Sequence, residues 1–202
     1  TEDSAFDWNG DFYQGKGVYS LPHPIQPKMP IINAAGSEEG RVFAMRNADF
    51  LFTPVFDFDQ AKATVTDITE RASSVNRKVD VLTLCTVVCR PTQQEAEDYL
   101  QWYADEQADW GAVDNLMTLQ GMHAQSFTPE ALAMYRDRMA AGHGGFPLVG
   151  TPDAIADLLE KLSETGIAGT TLAFVDYAKE FPYFRQEVLP RLEAKGLRQP
   201  VS

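Results

Sequence analysis

A turn rich in glycine and serine is the first place where this sequence could do chemistry. Gly36, Ser37 and Gly40 lie between a short apolar run, 30–35, and a segment with helical character, 41–48. In an α/β fold such a turn falls at the carboxyl end of a strand, where ligands bind. The following helix offers unpaired backbone N–H groups to an anion, and Ser37 adds a hydroxyl. The turn therefore suits a phosphate, although Ser-Glu-Glu is equally a good helix start.

Two further side chains are candidates for binding a substrate. His143 lies in a Gly-His-Gly-Gly stretch, so it could belong to a lid or touch a ligand. The alternative is a loop that contains a histidine by chance. Asp176 directly follows an apolar run, 169–175, and is therefore expected at the same edge of a parallel sheet as Ser37. The sequence assigns no catalytic residue.

Several common catalytic and metal-binding patterns do not occur in the sequence. It has no Gly-x-Ser-x-Gly elbow, no Gly-x-x-x-x-Gly-Lys loop with the Ser or Thr that must follow the lysine, and no Gly-x-Gly-x-x-Gly motif. Its three histidines are far apart, so no metal site is predicted. Cys85 and Cys89 share one predicted strand at a separation of about 13 Å, which is too far for a disulfide. We expect two buried thiols in a reducing compartment, the alternative being a redox or metal-binding role.

The candidate residues are positioned by a chain in which strands and helices alternate. Apolar and β-branched runs predict strands at 30–35, 50–53, 79–89 and 169–175. Apolar spacing and capping residues predict helices at 41–48, 58–76, 92–103, 151–166 and 183–194, with 107–145 mostly helical or irregular. The order gives four β-α units, which implies a parallel sheet with right-handed crossovers.

The first 29 residues differ from the rest in composition. Aromatic residues flank the pair Asn9-Gly10, which is typical of a hairpin turn. Three prolines follow and exclude regular structure up to Pro30. We therefore divide the chain into a hairpin and proline-rich arm, 1–29, and an α/β domain, 30–202.

The charge of the chain excludes some classes of partner. Its 202 residues include 17 basic and 29 acidic residues, which gives a formal net charge of −12. Nucleic acids and anionic membranes require a basic face, so neither is a predicted partner. No apolar stretch of about 18 residues occurs, so no membrane span is predicted. The first four residues resemble neither a signal nor a transit peptide, and we expect a cytoplasmic protein.

Two regions of the sequence together resemble a known family. Residues 6–53 contain Phe-Asp-Trp-Asn-Gly-Asp-Phe-Tyr, then Pro-Ile-Ile-Asn-Ala-Ala-Gly-Ser-Glu-Glu-Gly-Arg-Val-Phe-Ala, then Ala-Asp-Phe-Leu-Phe. The later part adds Pro-Leu-Val-Gly-Thr-Pro at 147–152 and the segment 181–196. In order and spacing, these motifs resemble the bacterial luciferase-like, flavin-dependent monooxygenases. The branch that acts on pyrimidines, alkanesulfonates and small sulfones is the most similar.

The resemblance implies a cofactor, a reaction and a role for the serine turn. The family fold is a (β/α)8 barrel that binds FMN at the carboxyl ends of its strands. Ser37, with Gly36 and Gly40 beside it, would contact the flavin phosphate. Reduced FMN, supplied by a separate flavin reductase, and O2 would oxygenate a small organic substrate, an organosulfur compound or a pyrimidine.

The chain is too short for the whole family fold. A complete barrel needs about 250 residues and eight β-α units, whereas the resemblance is to strands five to eight. The predicted fold class is therefore α/β, a partial TIM (β/α)8 barrel with four β-α units and an N-terminal hairpin arm. Such a half exposes sheet edges and an apolar inner face. We therefore expect a piece of a longer or split protein, completed by an N-terminal half or a homo-oligomer partner. The alternative function is a non-catalytic half-barrel that binds FMN or phosphate, or assembles with a partner.

Overall fold

The computed structural model describes residues 4–23, 25–34, 37–122 and 128–200. The chain divides into two compact units, Thr1–Ile31 and Ile32–Ser202. The first unit is an antiparallel hairpin of β1 (Phe6–Asn9) and β2 (Gln14–Val18). Its turn is closed by the Gly10 backbone N–H, which donates to the carbonyl of Tyr13 at 3.0 Å. The hairpin predicted from the Asn-Gly pair is therefore confirmed.

The second unit contains five strands and the helices that connect them. The strands are β3 (Ile32–Asn33), β4 (Phe50–Phe52), β5 (Asp80–Cys89), β6 (Phe146–Gly150) and β7 (Gly169–Ala173). The first helices are α1 (Glu38–Asn47), α2 (Phe58–Ser74) and α3 (Gln93–Gln101), which continues as a π-helical turn, Trp102–Glu106. The later helices are α4 (Trp110–Leu119), α5 (Pro129–Gly142), α6 (Pro152–Glu164), α7 (Tyr177–Glu187) and α8 (Leu189–Ala194).

All strand pairs of the second unit are parallel, as the alternation of strands and helices predicts. β3 pairs with β4, and β4 pairs with the beginning of β5, at residues 80–82. β7 pairs with β5 along Leu82–Thr86, and β6 pairs with it along Cys85–Cys89. Leu82 therefore pairs with both β4 and β7, and Cys85 and Thr86 pair with both β6 and β7. Because a strand has only two hydrogen-bonding edges, β7 lies on one edge of β5, and β4 and β6 lie on the other. The four predicted strands therefore form the path β3-β4-β5-β7.

Strand β6 was not predicted, and the last predicted helix has different bounds. Pro147 lies within β6, opposite Thr86, and a proline inside an apolar run argues against a strand because it cannot donate to the ladder. The predicted helix 183–194 is two helices, α7 and α8, that meet at Val188. The first of them begins at Tyr177, before the predicted start. Pro182 lies inside α7, and prolines usually avoid helix interiors, so the sequence argues against a helix at this position.

The core lies between the sheet and the helices that cover one of its faces. Alternate residues of β5 point to this face and contact apolar side chains of α2, α6 and α7, in a cluster that includes Val81, Cys85, Val87, Ile68, Ile155 and Phe184. The other alternate residues point to the opposite face. There Leu82 and Leu84 are only half-buried, as are Phe50 and Phe52 of β4. The sheet of this chain therefore has one covered face and one partly open apolar face.

Both cysteines of β5 are free and buried, as predicted. No helix among the described residues is both long enough and apolar enough to cross a membrane. The described residues also contain no group of three or more His, Cys, Asp or Glu side chains that could hold a metal ion.

Candidate functional site

The serine turn lies where the sequence predicts, between a strand and a helix. Ser37 follows β3 and is the N-cap of α1, with extended backbone angles of φ −81° and ψ 160°. Its Oγ accepts a hydrogen bond from the backbone N–H of Gly40 at 3.1 Å. The N–H groups of the first helical residues, Glu38 and Glu39, point out of the helix end, where no carbonyl of the same helix can accept them. Gly36 lies outside the described residues.

The acidic side chain closest to this helix end is held by a neighbouring helix. Glu38 forms a salt bridge with Arg71 of α2, and Arg71 also contacts Asp67 at 3.2 Å. The hydrogen bond from Arg71 lowers the pKa of Glu38, and the charge of Arg41 contributes in the same direction. The carboxylate is therefore partly neutralised. This reduces the repulsion that it would exert on an anion at the start of α1.

Two polar side chains beside the turn lack partners, and sequence reasoning did not select them. Asn33 is the last residue of β3, and its Oδ1 is buried with no hydrogen-bond partner among the described residues. The same holds for the Nε atom of Arg41 in α1. A buried polar atom without a partner costs about 1–3 kcal/mol. Asn33 ends β3 and Arg41 lies in the first turn of α1, so both residues flank the serine turn in the chain.

His143 ends α5 and has a well-defined backbone role. It is the C-cap residue in the left-handed conformation, with φ 56° and ψ 34°. Its N–H donates to Met139, and the N–H of Gly144 donates to the carbonyl of Arg138 at 3.0 Å. Thr86 of β5 fixes this helix end by donating its Oγ1 hydrogen to the carbonyl of Gly142 at 3.1 Å. The imidazole is exposed, and its contact with a substrate stays a prediction.

Asp176 begins α7 at the wall of a cavity of about 530 Å³. Its Oδ1 accepts the backbone N–H of Lys179 at 3.2 Å, and Oδ2 lies 2.8 Å from the Lys179 ammonium. The hydrogen bond from this lysine is the main reason that the pKa of Asp176 is lowered. The other lining residues are Cys89, Arg90, Pro91, Tyr99, Trp102, Glu180 and Tyr183. Asp176 is therefore a charged helix cap that faces an aromatic-lined cavity.

An ion pair holds the cavity wall together. The Nη2 atom of Arg90 lies 2.6 Å from Oε1 of Glu180, and both side chains are largely buried. The guanidinium also stacks over the ring of Tyr99 at 3.9 Å from its centroid. The second carboxylate oxygen of Glu180 accepts the N–H of Asp176 at 3.2 Å. The pair therefore connects the end of β5 to the start of α7.

The three candidate residues do not form one cluster. Ser37 follows β3 and Asp176 follows β7, so both lie at the carboxyl edge of the sheet, as predicted. β4 and β5 lie between these strands, which corresponds to a separation on the order of 14 Å along the sheet. His143 precedes β6 and belongs to a different helix end. Each of them therefore lies at the terminus of a helix, Ser37 and Asp176 as N-caps and His143 as a C-cap.

The helices α4 and α5 are fixed to the same edge of the sheet. Arg138 of α5 donates to the carbonyl oxygens of Val55 and Phe56, in the loop after β4, at 3.4 and 2.8 Å. The rings of Tyr135 and Phe56 pack with centroids 5.7 Å apart. Burial lowers the pKa of Arg138. This helical pair therefore forms a fixed wall beside the carboxyl end of β4.

Several known proteins are similar to this chain in sequence. A family model described as luciferase-like monooxygenase matches residues 1–169. The chain is 31% identical over 201 residues to an FMNH(2)-dependent dimethylsulfone monooxygenase of Pseudomonas fluorescens (strain Pf0-1), which covers 95% of this chain and 54% of that protein. It is 28% identical to a dimethyl-sulfide monooxygenase of Hyphomicrobium sulfonivorans, over 94% of this chain and 46% of the relative. The chain therefore spans about half the length of the relatives that it matches.

Solved structures show the same fold. The crystal structure of DmoA from Hyphomicrobium sulfonivorans superposes with a TM-score of 0.78 at 24% identity, over 96% of this chain and 47% of that one. A riboflavin lyase solved with modified FMN and riboflavin gives a TM-score of 0.79 at 22% identity, over 96% of this chain and 49% of the other. The predicted α/β arrangement, as part of a larger fold, agrees with both.

Proposed function

The chain belongs to the luciferase-like monooxygenase family, as its sequence motifs predicted, and we propose that it is the C-terminal part of a flavin-dependent monooxygenase. In this function reduced FMN and O2 oxygenate a small organic substrate. The observation that carries the proposal is the 31% identity, over 95% of the chain, to an FMNH(2)-dependent enzyme. We propose a small organosulfur substrate rather than a pyrimidine, because two relatives are named for a sulfone and a sulfide.

The start of α1 fits the phosphate of FMN. Ser37 offers a hydroxyl, and the first N–H groups of α1 have no acceptor within the helix. The positive end of the helix dipole favours an anion there. The nearby Arg41 adds a cation, and the unpartnered Oδ1 of Asn33 can accept a hydrogen bond from a hydroxyl or N–H of a ligand. Bound FMN supplies the redox chemistry, while these residues hold and orient it.

Two substitutions at Ser37 separate its role as a helix cap from its role towards a phosphate. Ser37→Ala removes the cap and the hydroxyl, so it should destabilise the chain by about 1 kcal/mol and weaken FMN binding by about 1–3 kcal/mol. Ser37→Asp keeps a good cap but places a carboxylate beside the phosphate. We expect Ser37→Asp to retain the melting temperature and to lose most of the affinity for FMN.

Riboflavin is the matched ligand because it lacks only the phosphate. Fluorescence titration should show that FMN binds the natural chain more tightly than riboflavin, and that the Ser37 variants reduce only the affinity for FMN. Thr151→Ala removes the equivalent cap of α6 and should leave both affinities unchanged. Equal affinity for the two flavins, or normal FMN binding by Ser37→Asp, would contradict the assignment. FMN binding without any oxygenation by the completed protein would favour the non-catalytic alternative.

The open parts of the sheet support a second proposal, that another half completes the fold. Among the described residues, β3 pairs only with β4, and β7 pairs only with β5. The face that carries Phe50 and Leu84 is apolar but only partly buried. A complementary set of four strands would pair both edges and cover this face. In the proposed function the further partners are a flavin reductase and the substrate, with His143 and Asp176 as candidates for contacting the latter.

Sedimentation velocity tests whether the chain needs another half. If the open apolar face is normally covered by another half, the isolated chain of 22.4 kDa should self-associate or bind the hydrophobic dye ANS strongly. Phe52→Lys, on the open face, should reduce both effects. Val75→Lys, at an exposed position at the end of α2, is the matched control and should change neither the self-association nor the dye binding. A monomer that binds no dye would contradict the proposal, even if the flavin titration succeeds.

A further inference from the structure

A second, larger cavity lies away from the serine turn, between α3 with its π-helical turn and α5. It is an open groove of about 810 Å³. Its floor and walls are mostly apolar and include Leu100, Ala104, Met134, Ala141 and Pro147. The volume lies within the range of about 300–1,000 Å³ that is typical of ligand sites. π-helical turns inside helices frequently occur at functional sites.

The groove is already formed in this chain. The hydroxyl of Tyr103 donates to the carbonyl of Ala141 at 3.0 Å, which ties the π-helical turn to α5. Trp110 also lines the groove and is itself fixed, because the guanidinium of Arg136 lies over its ring, 4.1 Å from the centroid. Arg136 is held in turn by two hydrogen bonds to Asp114. A partner would therefore meet a surface that needs little reordering, which favours binding.

The rim of the groove is acidic. It carries the exposed carboxylates of Glu97, Asp105 and Asp137, none of which forms a salt bridge with a described residue. Among the described residues that line the groove, Arg138 is the one cation, and it donates to the loop carbonyls of Val55 and Phe56. The residues from 91 to 135 contain eight of the 29 acidic side chains and none of the 17 lysines and arginines. This segment, which supplies α3, the π-helical turn and α4, therefore has eight negative and no positive side chains, a formal net charge of −8.

We propose that the groove is a docking site for a basic amphipathic helix of a partner protein. The apolar face of that helix would fill the groove, and its lysines or arginines would lie against Glu97, Asp105 and Asp137. Helices that dock in apolar grooves use residues at helical spacing as anchors, and opposite charges at the rim orient them. A second copy of this chain does not supply the complement, because none of its described helices has more basic than acidic residues.

The proposal does not depend on the proposed function, since its argument involves neither flavin nor substrate. The probe is a short leucine–lysine peptide with its leucines at helical spacing, titrated into the isotopically labelled chain and followed by NMR and calorimetry. The same peptide with glutamate in place of lysine is the control ligand. We expect only the lysine peptide to bind, and the backbone chemical shifts should change only in α3, the π-helical turn and α5. Added salt should weaken the binding.

Two pairs of substitutions separate the groove from the general charge of the chain. Asp105→Lys with Asp137→Lys should weaken binding about tenfold, because two attractive contacts become repulsive. Glu70→Lys with Glu164→Lys changes the net charge by the same amount on exposed positions of α2 and α6, and should have little effect. Equal weakening by both pairs would mean non-specific attraction and would overturn the proposal.

Met134 tests the apolar part of the interaction. This residue is 37% exposed at the groove wall, so Met134→Asp should fold while adding another negative charge. If the peptide inserts its leucines, Met134→Asp weakens binding and Met134→Leu does not. Stronger or unchanged binding by Met134→Asp would show that charge alone attracts the peptide, which would contradict docking. Dissociation of a pre-existing dimer by Met134→Asp, without peptide, would identify a second copy as the occupant and would also overturn the proposal.

Discussion

The ion pair between Arg90 and Glu180 allows a quantitative test of how the end of β5 is joined to α7. The two side chains are 22% and 10% exposed, so their environment lies between a surface and an interior. Arg90→Met keeps much of the side-chain volume but removes the charge, the contact of 2.6 Å to Glu180 and the hydrogen bond of 2.8 Å to the carbonyl of Cys89. It also removes the stacking over Tyr99. Glu180 would remain as a largely buried carboxylate.

The expected cost follows from these losses. Removing one partner of a buried pair costs about 3–5 kcal/mol, whereas an exposed pair contributes about 0–1 kcal/mol. The cation–π contact adds about 0.5–1 kcal/mol. We therefore expect Arg90→Met to lower the free energy of unfolding by about 3 kcal/mol. Glu180→Gln should cost less, about 1–2 kcal/mol, because the amide oxygen can still accept the N–H of Asp176.

Urea unfolding at neutral pH, followed by circular dichroism and tryptophan fluorescence, measures these differences. The double variant should lose about 1–2 kcal/mol less than the sum of the two single variants, since the side chains interact directly. The matched control is Arg71→Met, which breaks a more exposed pair with Glu38 and should therefore lower the free energy of unfolding much less than Arg90→Met. Additive effects, or a cost for Arg90→Met as small as that for Arg71→Met, would refute this reasoning.

Two further predictions concern β5 and the residues packed on it. Burial raises the pKa of the Cys85 and Cys89 thiols to about 11, while an unfolded thiol ionises near pH 8.5. Their contribution to stability is therefore complete below about pH 8.5 and is lost as the pH rises towards 11. When both cysteines are replaced by alanine, the free energy of unfolding, measured in urea, should decrease less between about pH 8.5 and 11 than it does for the natural chain. Gly145→Ala would place a Cβ 2.6 Å from Oγ1 and 3.0 Å from the backbone N of Thr86. Thermal unfolding should show that this substitution lowers the free energy of unfolding by about 1–3 kcal/mol. Adding Thr86→Ala to Gly145→Ala should restore only part of the lost stability, because the close contact with the backbone N of residue 86 remains. Full restoration would show that this backbone contact contributes nothing to the loss.

The sequence was most informative where local physics alone determines the structure. The Thr92 capping box forms as predicted, with the side chains of Thr92 and Glu95 each accepting a backbone N–H of the other residue. Thr151 caps α6, and Pro152 occupies its first turn. β5 forms along an almost entirely apolar or β-branched run, half-buried and buried residues alternating over its first half and every residue buried over Cys85–Cys89. These features need only neighbouring residues, so the sequence alone predicts them.

The errors arose where tertiary contacts decide the structure. Pro147 is tolerated in β6 because, among the described residues, this strand pairs only with β5 and is therefore an edge strand, where prolines occur. No local signal in the sequence shows that β6 lies at an edge. The glycines around His143 suggested a loop of free conformation. They are required by close packing instead, since a Cβ on Gly145 would collide with Thr86. In both cases the relevant partner is more than 50 residues away in sequence and could not be inferred from spacing.

The candidate site was predicted only in part, for a related reason. Ser37 could be found because an N-cap and a phosphate ligand have the same local requirements, namely a hydroxyl and free N–H groups. Asn33 and Arg41 could not be found, because the sequence does not show that their polar atoms are buried without partners. Arg90 also gave no signal, since its partner Glu180 lies 90 residues further along the chain.

The distribution of charge explains how a chain with a net charge of −12 could hold an anion. A uniform negative surface would repel a phosphate, but eight of the acidic residues lie between positions 91 and 135, in the region of α3 to α5. Near the start of α1, by contrast, the carboxylate of Glu38 is paired with Arg71, and Arg41 is close enough to lower its pKa. Beyond about 10 Å in 0.1 M salt, exposed charges are largely screened. The affinity for a phosphate should therefore depend on Ser37, Arg41 and Arg71 rather than on the net charge. The lining of the acidic groove includes none of these three residues. Lysine substitutions at Asp105 and Asp137 should accordingly leave FMN binding unchanged at physiological salt, and a large gain in FMN affinity from them would contradict this reasoning.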